Sequence, residues 1–300
     1  ISSQTLTILA VTLYFTFTCG PALAQPQESH PSGDENKSVI KEDIVLGQAC
    51  ALSGLAKDLG VNMRAGLLAC FGKVNAEGGI KGRKIRLITL DDGYEPGRAA
   101  INTIKLIEDE NVFLLIGEVG TPTSKVALPL AEEAKVPFFA PFTGAELLRD
   151  SFRKSVIHVR ASYYQEMEAL AAYLVDRKQL KKVACFYQDD AYGKSGLEGI
   201  RQALERRNME LCSTGTYQRN TTANKEGLEK VKAGAPDAVI MVGAYEPAST
   251  FIKQAKKDGM TDTIFCNISF VGTETLLEEL GDASEGCIVS EVTVSPWDMS

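Results

Sequence analysis

The chain has only two histidines, His30 and His158, among 300 residues, and none of its seven cysteines stands in a C-x-x-C pair. A zinc site wants several His or Cys ligands at close spacing, so this composition offers none. Basic blocks are missing too. The net charge is −7 and no Lys/Arg cluster occurs downstream, which argues against a nucleic-acid surface. The signatures of nucleotide and acyl chemistry are also absent. "GEVGTPTSK" (Gly117–Lys125) lacks the Gly-Lys-Ser/Thr step of a phosphate loop, and no G-x-G-x-x-G follows a strand-like run. Neither "LSGLA" nor "GKSGLEG" is a G-x-S-x-G elbow. His30 lies in a polar leader and His158 in a strand-like run, so neither is placed for a catalytic triad. The pairs Asp91-Asp92 and Asp189-Asp190 follow strand-like runs, where aspartate more often caps a helix or turns the chain than carries acid–base chemistry. The expectation is a protein with no catalytic residues, no cofactor and no metal.

No apolar run reaches the ~20 residues of a spanning helix. The nearest, Leu6–Phe17, is uncharged and ends before Ala22-Leu23-Ala24, an A-x-A cleavage pattern. Residues 1–24 therefore read as a secretory signal that sends the protein to the periplasm. The initiator Met and a basic n-region are not there, so the chain is expected to begin inside that signal. Residues 25–43 carry Pro, Ser, Gly and charges without periodicity and read as a flexible leader. Most of the remaining cysteines, Cys50, Cys70, Cys185, Cys266 and Cys287, stand in apolar patterns and are expected to be buried as small hydrophobes.

From Asp43 onward, β-rich runs alternate with amphipathic helices. Strand Ile44–Ala49 leads to a helix whose apolar face is Leu59, Met63, Leu67, Phe71 and Val74. Strand Lys84–Leu90, helix Gly97–Asp109, strand Val112–Ile116, helix Thr123–Ala134 and strand Pro137–Ala140 follow. After a boundary near Val159–Tyr164 the rhythm restarts. Its helices are Gln165–Lys178, Lys194–Arg207, Asn224–Ala233, Pro247–Gly259 and Thr273–Leu280; its strands are Lys182–Tyr187, Met209–Thr214, Ala238–Val242, Thr263–Asn267 and Gly286–Glu291. Strict β/α alternation implies parallel sheets with helical crossovers, because parallel neighbours need a long return connection. The chain is thus α/β with two similar lobes: 44–160 and 161–291, with 292–300 crossing back towards the first.

Ligands of open parallel sheets bind beyond the carboxyl ends of the strands. Here those ends read Leu52-Ser53-Gly54, Asp91–Tyr94, Gly117–Ser124, Pro141–Gly144, Gln188–Tyr192, Gly243–Glu246 and Ile268–Phe270, rich in hydroxyls, tyrosines and glycines. Two such edges facing each other would form an interlobe cleft.

"GRKIRLITLDDGYEPGRA", "FLLIGEVGTPTSKVALPLAEEAKVPFFAPFTGAELLR" and "VACFYQDDAYGKSGLEGI" resemble the type I periplasmic binding proteins that serve ABC transporters for branched-chain amino acids. The resemblance runs from about Ile44 to the end. It implies two Rossmann-like lobes with parallel sheets joined by hinge crossings, closing on a small carboxylate-bearing ligand. It implies that Thr121 and Thr143 bind the carboxylate, with Gly120, Phe142, Leu59 and Ser269 lining the pocket and Tyr192 and Tyr245 closing over it from the second lobe. The physics agrees for Thr121, because a carboxylate at a helix N-terminus gains charge-assisted hydrogen bonds and the helix dipole. Helix capping is the plain alternative for Thr121, and ordinary packing for Tyr245.

Two departures stand out. The family's amino-acid binders place an acid after the strand matching Thr263–Asn267, to pair with the ligand's ammonium, whereas "CNISF" has none; either another acid such as Glu118, Asp92 or Glu246 serves, or the ligand has no ammonium group. The C-terminal part of the first lobe, after a second crossing, is also missing. The resemblance implies a monomer delivering an amino acid or related organic acid to an inner-membrane ABC permease. The alternative is a ligand-sensing ectodomain of a transmembrane receptor. An exported enzyme using the same cleft is a third reading, for which the sequence supplies no catalytic constellation.

Overall fold

The structure, a computed structural model, describes residues 42–293; the expected signal, nearly all of the expected leader and the end of the expected returning segment lie outside the described residues. The first sheet is built from β1 (Ile44–Cys50), β2 (Ile85–Asp91), β3 (Leu114–Ile116), β4 (Phe138–Phe139) and β5 (Val156–Ile157), in the order β2-β1-β3-β4-β5. All its pairings are parallel. Its crossovers are α1 (Lys57–Ala76), α2 (Pro96–Glu108) and α3 (Thr121–Glu133). The second lobe starts with α4 (Tyr163–Ala171), which continues as a π-helical turn over 172–177. Its strands are β6 (Val183–Gln188), β7 (Ser213–Tyr217), β8 (Ala238–Val242), β9 (Ile264–Asn267) and β10 (Ile288–Val289), with order β10-β9-β8-β6-β7. Helices α5 (Ala191–Glu205), α6 (Lys225–Ala233), α7 (Tyr245–Lys257) and α8 (Thr273–Leu280) intervene. Helices on both faces bury the strands from both sides, which is why β8 reads as the unbroken apolar run Ala-Val-Ile-Met-Val and is buried throughout.

Each sheet reverses its strand order once, between β1 and β3 in the first and between β6 and β8 in the second. At such a point neighbouring crossovers run to opposite faces and leave a crevice beyond the strand ends. The first lobe has its own core around Leu106, Leu115, Leu128 and Phe138. A second apolar cluster fills the other lobe and continues into Cys50, Ala51, Leu59, Tyr94 and Val119 of the first, so the lobes pack against each other at their strand ends.

Several boundaries differ from expectation. The strand expected at Met209–Thr214 lies later, because the ladder pairs Ala184–Gln188 with Ser213–Tyr217. Helix α3 begins at Thr121 rather than Thr123, α5 at Ala191 rather than Lys194, and α7 at Tyr245 rather than Pro247. Cys70, expected inside, is exposed: it shares a face with Met63 and Val74, but the buried residues of α1 are confined to Leu59 and Gly60 near its start. Cys50, Cys185, Cys266 and Cys287 are buried and all six described cysteines are free thiols.

Candidate functional site

The first wall of the cleft is set by a short extension of strand pairing. Beyond β3 and β4, Val119 bridges Phe142 in parallel; Phe142 N–H donates to Glu118 O at 2.7 Å and Gly120 N–H to Phe142 O at 3.2 Å. This brings the start of α3 beside the end of β4, so that the Thr121 and Thr143 hydroxyls meet at 2.7 Å, both wholly buried. Thr143 Oγ1 also lies 3.3 Å from the Tyr163 hydroxyl and accepts from Ala145 N–H. Capping does not account for Thr121: the N-cap of α3 is Gly120, and the Thr121 hydroxyl reaches across to another strand end. Gly120 is required here, since its φ is 104° and a Cβ would strike the Tyr94 ring.

The second wall comes from β6, β8 and β9. Asp190 caps α5 by accepting from Tyr192 N–H, which buries the Tyr192 ring at the helix start and leaves its hydroxyl 3.3 Å from Gly243 O. Phe270, on the turn after β9, lies between the lobes. Its ring is 5.3 Å from Phe142 and 6.2 Å from Tyr94 on one side and 4.6 Å from Tyr192 on the other. Tyr163 and Tyr192 are 5.5 Å apart. Burial raises the hydroxyl pKa of both, so they stay neutral and can donate hydrogen bonds.

The lobes are joined by polar contacts as well. Gln188 Nε2 donates to the Tyr94 hydroxyl at 3.2 Å, and Asp58 N–H donates to the Tyr245 hydroxyl at 3.3 Å. Arg219 pairs with Glu95 at 2.9 Å across the cleft and with Asp190 at 3.0 Å, and Asn220 donates to Gly93 O and to Glu95. This is a closed arrangement. A cavity of about 280 Å³ remains between the lobes, lined by Leu59, Asn62, Met63 and Phe142 on one side and by Ser269, Gly272–Thr275 and Glu291–Thr293 on the other. Leu59, Phe142 and Ser269 thus share one cavity wall. Thr121, Thr143 and Tyr192 are sealed from it, and Tyr245 meets the first lobe at Asp58 instead.

Sequence reasoning missed Arg160, Glu166, Arg219 and Asn220. Arg160, on the first crossing, has a side chain only 4% exposed and sits 5.4 Å from both the Phe142 and Tyr163 ring centres. Its Nη2 donates to Glu166 at 2.6 Å and to Ser269 Oγ at 2.7 Å. Glu166 Oε2 accepts from Ser269 N–H and from Ser290 Oγ, tying both crossings to β9. Arg160 and Glu166 could have been sought in the hinge segment, but nothing in "HVRASYYQE" marks them as a pair.

The carboxylates near the strand ends mostly shape turns, as expected. Asp91 accepts from Leu52, Ser53, Gly93 and Arg98; burial opposes its ionisation, but these donors hold it down at about 2. Burial pushes Asp92 up to about 7 and holds Glu118 well above the usual carboxylate range; each keeps one oxygen without a partner. Asp92 accepts from Tyr94 N–H and Glu118 from Ala49 N–H. His158 directly follows β5, with its Nε2 3.1 Å from Leu148 O. No cluster that could hold a metal occurs among the described residues, nor a helix long and apolar enough to cross a membrane.

Residues 43–300 match the family model described as "Periplasmic binding protein". A solved structure described as a possible leucine/isoleucine/valine-binding protein from Rhodopirellula baltica SH 1 is 38% identical. It superposes with a TM-score of 0.82, covering 86% of this chain and 71% of that one. The "Leucine-, isoleucine-, valine-, threonine-, and alanine-binding protein" of Pseudomonas aeruginosa is 20% identical over 86% of this chain and 69% of its own length. The same organism's "Amino acid binding protein" is 22% identical over 73% of this chain. A Rhodopseudomonas palustris solute-binding protein solved in complex with benzoate shares the fold, with a TM-score of 0.73 at 23% identity over 82% of this chain and 68% of that one. The chain spans 59% of the length of one of these curated relatives and 69% of the other. With the match from Asp43 onward and the likeness at 38% identity, the chain belongs to the periplasmic binding protein family, which is made up of solute-binding proteins rather than enzymes.

Proposed function

We propose that the protein is an extracytoplasmic receptor that captures a small carboxylate-bearing solute in the interlobe cleft by hinge closure and presents it to an inner-membrane ABC permease. The observation that carries this reading is the buried hydroxyl pair Thr121–Thr143 at the start of α3, faced by the rings of Tyr192 and Phe270 from the other lobe. A helix start leaves its first N–H groups without intrahelical acceptors and carries a partial positive charge, so two hydroxyls placed there suit a carboxylate. The rings from the second lobe contribute only when the lobes close. Ligand contacts made by both walls therefore favour the closed state, and binding and closure are one equilibrium. Relatives named for aliphatic amino acids and a neighbour solved with benzoate share one chemical group among those ligands, the carboxylate.

Thermal-shift measurements on the full chain test this. Amino and organic acids at 100 times their Kd should stabilise the protein by about 2.7 kcal/mol, a rise of roughly 5–10 °C for a chain of this size. Stabilisation by sugars or nucleosides, with no response to any acid, would contradict it.

A further inference from the structure

The cleft contains a cation whose hydrogen-bonding capacity is only partly used. Arg160 Nη2 is engaged by Glu166 and Ser269, but Nη1 is buried and has no hydrogen-bond partner among the described residues. The guanidinium is held between the Phe142 and Tyr163 rings, and the Tyr163 hydroxyl lies 3.3 Å from Thr143, which meets Thr121. Arg160, Tyr163, Thr143 and Thr121 thus follow one another in a chain of contacts, leading from the guanidinium beside Ser269 in the cavity wall to the buried hydroxyl pair. A buried N–H left unpaired is costly, and a planar guanidinium with a free edge is well shaped to receive a carboxylate oxygen.

The same neighbourhood is poor for a ligand ammonium. Ser269 lies in the cavity wall and already takes a hydrogen bond from the guanidinium, so a second cation there meets a like charge. Both oxygens of Glu166 are occupied, by Arg160 on one side and by Ser269 and Ser290 on the other. Of the two carboxylates lining the cavity, Glu291 accepts from Thr273 and burial raises its pKa, while Glu274 is exposed to solvent. Asp92 and Glu118 each keep one buried oxygen free, but neither lines the cavity and burial raises the pKa of both, so an ammonium in the cavity would find no buried, uncommitted carboxylate beside it, which is expensive.

We propose that Arg160 is the charged contact for the ligand's carboxylate, and that the solute is an organic acid carrying an apolar or aromatic body and no ammonium group. This rests on the carboxylate reading given above. A ring or branched chain would take the place now held by Phe270, against Phe142 and Tyr192.

The test compares matched compounds on the full chain by calorimetry: benzoate and 4-methylpentanoate, their neutral amides, and phenylalanine and leucine. Wild type should bind the acids at least tenfold more tightly than the amides and than the two amino acids. Arg160→Lys keeps a cation for Glu166 but cannot also serve Nη1. It should weaken the acids by about 10- to 100-fold and leave the amides unchanged. The double variant R160Q/E166Q removes the pair without leaving a buried charge, and its acid-over-amide preference should vanish. An unchanged preference in both variants overturns the role of Arg160 while the carboxylate reading stands. Leucine or phenylalanine binding more tightly than the matched acid overturns the exclusion of ammonium. Amides binding as well as acids, or no binding by any of the six, overturns the carboxylate reading itself.

Discussion

Asp92 offers a direct way to read how tightly the first wall of the cleft is closed. The residue is wholly buried at the end of β2, with Oδ1 accepting from Tyr94 N–H at 2.7 Å and Oδ2 unpartnered. Burial is the main cause that moves its carboxyl from 3.8 to about 7, and repulsion from Asp91 adds to it. In the unfolded chain the group titrates near its ordinary value. Below about pH 4 it is protonated in both states and contributes nothing to the difference. Between about pH 4 and 7 the unfolded chain gives up the proton first, so the folded state loses about 1.4 kcal/mol per pH unit. Above pH 7 the whole cost, about 4 kcal/mol, is in place. Asp92→Asn keeps the acceptor for Tyr94 and removes the charge, but leaves an amide NH₂ without an acceptor, a loss of about 1–3 kcal/mol. Urea unfolding followed by circular dichroism should therefore show the variant less stable than wild type by that amount at pH 4. The difference should climb by roughly 4 kcal/mol and change sign, leaving the variant more stable by about 1–3 kcal/mol at pH 8. Groups distant from Asp92 titrate alike in both proteins and cancel, while its mutual repulsion with Asp91 and Glu118 is part of the difference measured. A difference that does not vary with pH would refute the reasoning, because it would mean that Asp92 is solvated and the β2 end open.

Two further outcomes follow from the geometry. Gly120→Ala places a methyl against the Tyr94 ring at a φ of 104°. It should lower stability by at least about 1–3 kcal/mol and abolish the thermal response to acids, checked by melting with and without them; a variant that melts and responds like wild type contradicts the packing described. Arg219→Ala removes the pair with Asp190, which keeps donors from Gln188 and Tyr192 N–H, and the pair with the half-exposed Glu95, so stability should change by only about 1 kcal/mol. The ligand-free protein should nevertheless open, seen as a larger radius of gyration in solution scattering, and an unchanged radius would contradict the role given to this pair.

The two α/β lobes were legible because strand and helix periods alternate without interruption and because the strand ends stand out as hydroxyl- and glycine-rich. Thr121, Thr143, Phe142 and Tyr192 were legible as site candidates through resemblance and position, and the structure brings them within one cluster of rings and hydroxyls. What was not legible depended on tertiary register. Ending β7 at Thr214 instead of Tyr217 hid the fact that Gln218–Thr221 is itself a strand-end loop, and with it Arg219 and Asn220. Arg160 lies in the irregular stretch before α4 and Glu166 in the first turn of that helix; only the approach of Ser269 and Ser290, more than a hundred residues later, makes a network of them. From the sequence Tyr245 reads as a loop residue, since Pro247 suggests the helix start, but it opens α7 with Pro247 in the first turn.

The central claim is that the Thr121–Thr143 hydroxyl pair anchors the solute's carboxylate. Its most direct test is calorimetric titration of wild type and the double variant Thr121→Ala/Thr143→Ala with the acid that most raises the melting temperature. Loss of two hydrogen bonds to a charged group, about 1.5–3 kcal/mol each, predicts affinity weakened by two orders of magnitude or more while the variant still unfolds cooperatively. Undiminished affinity in a folded double variant would contradict the account.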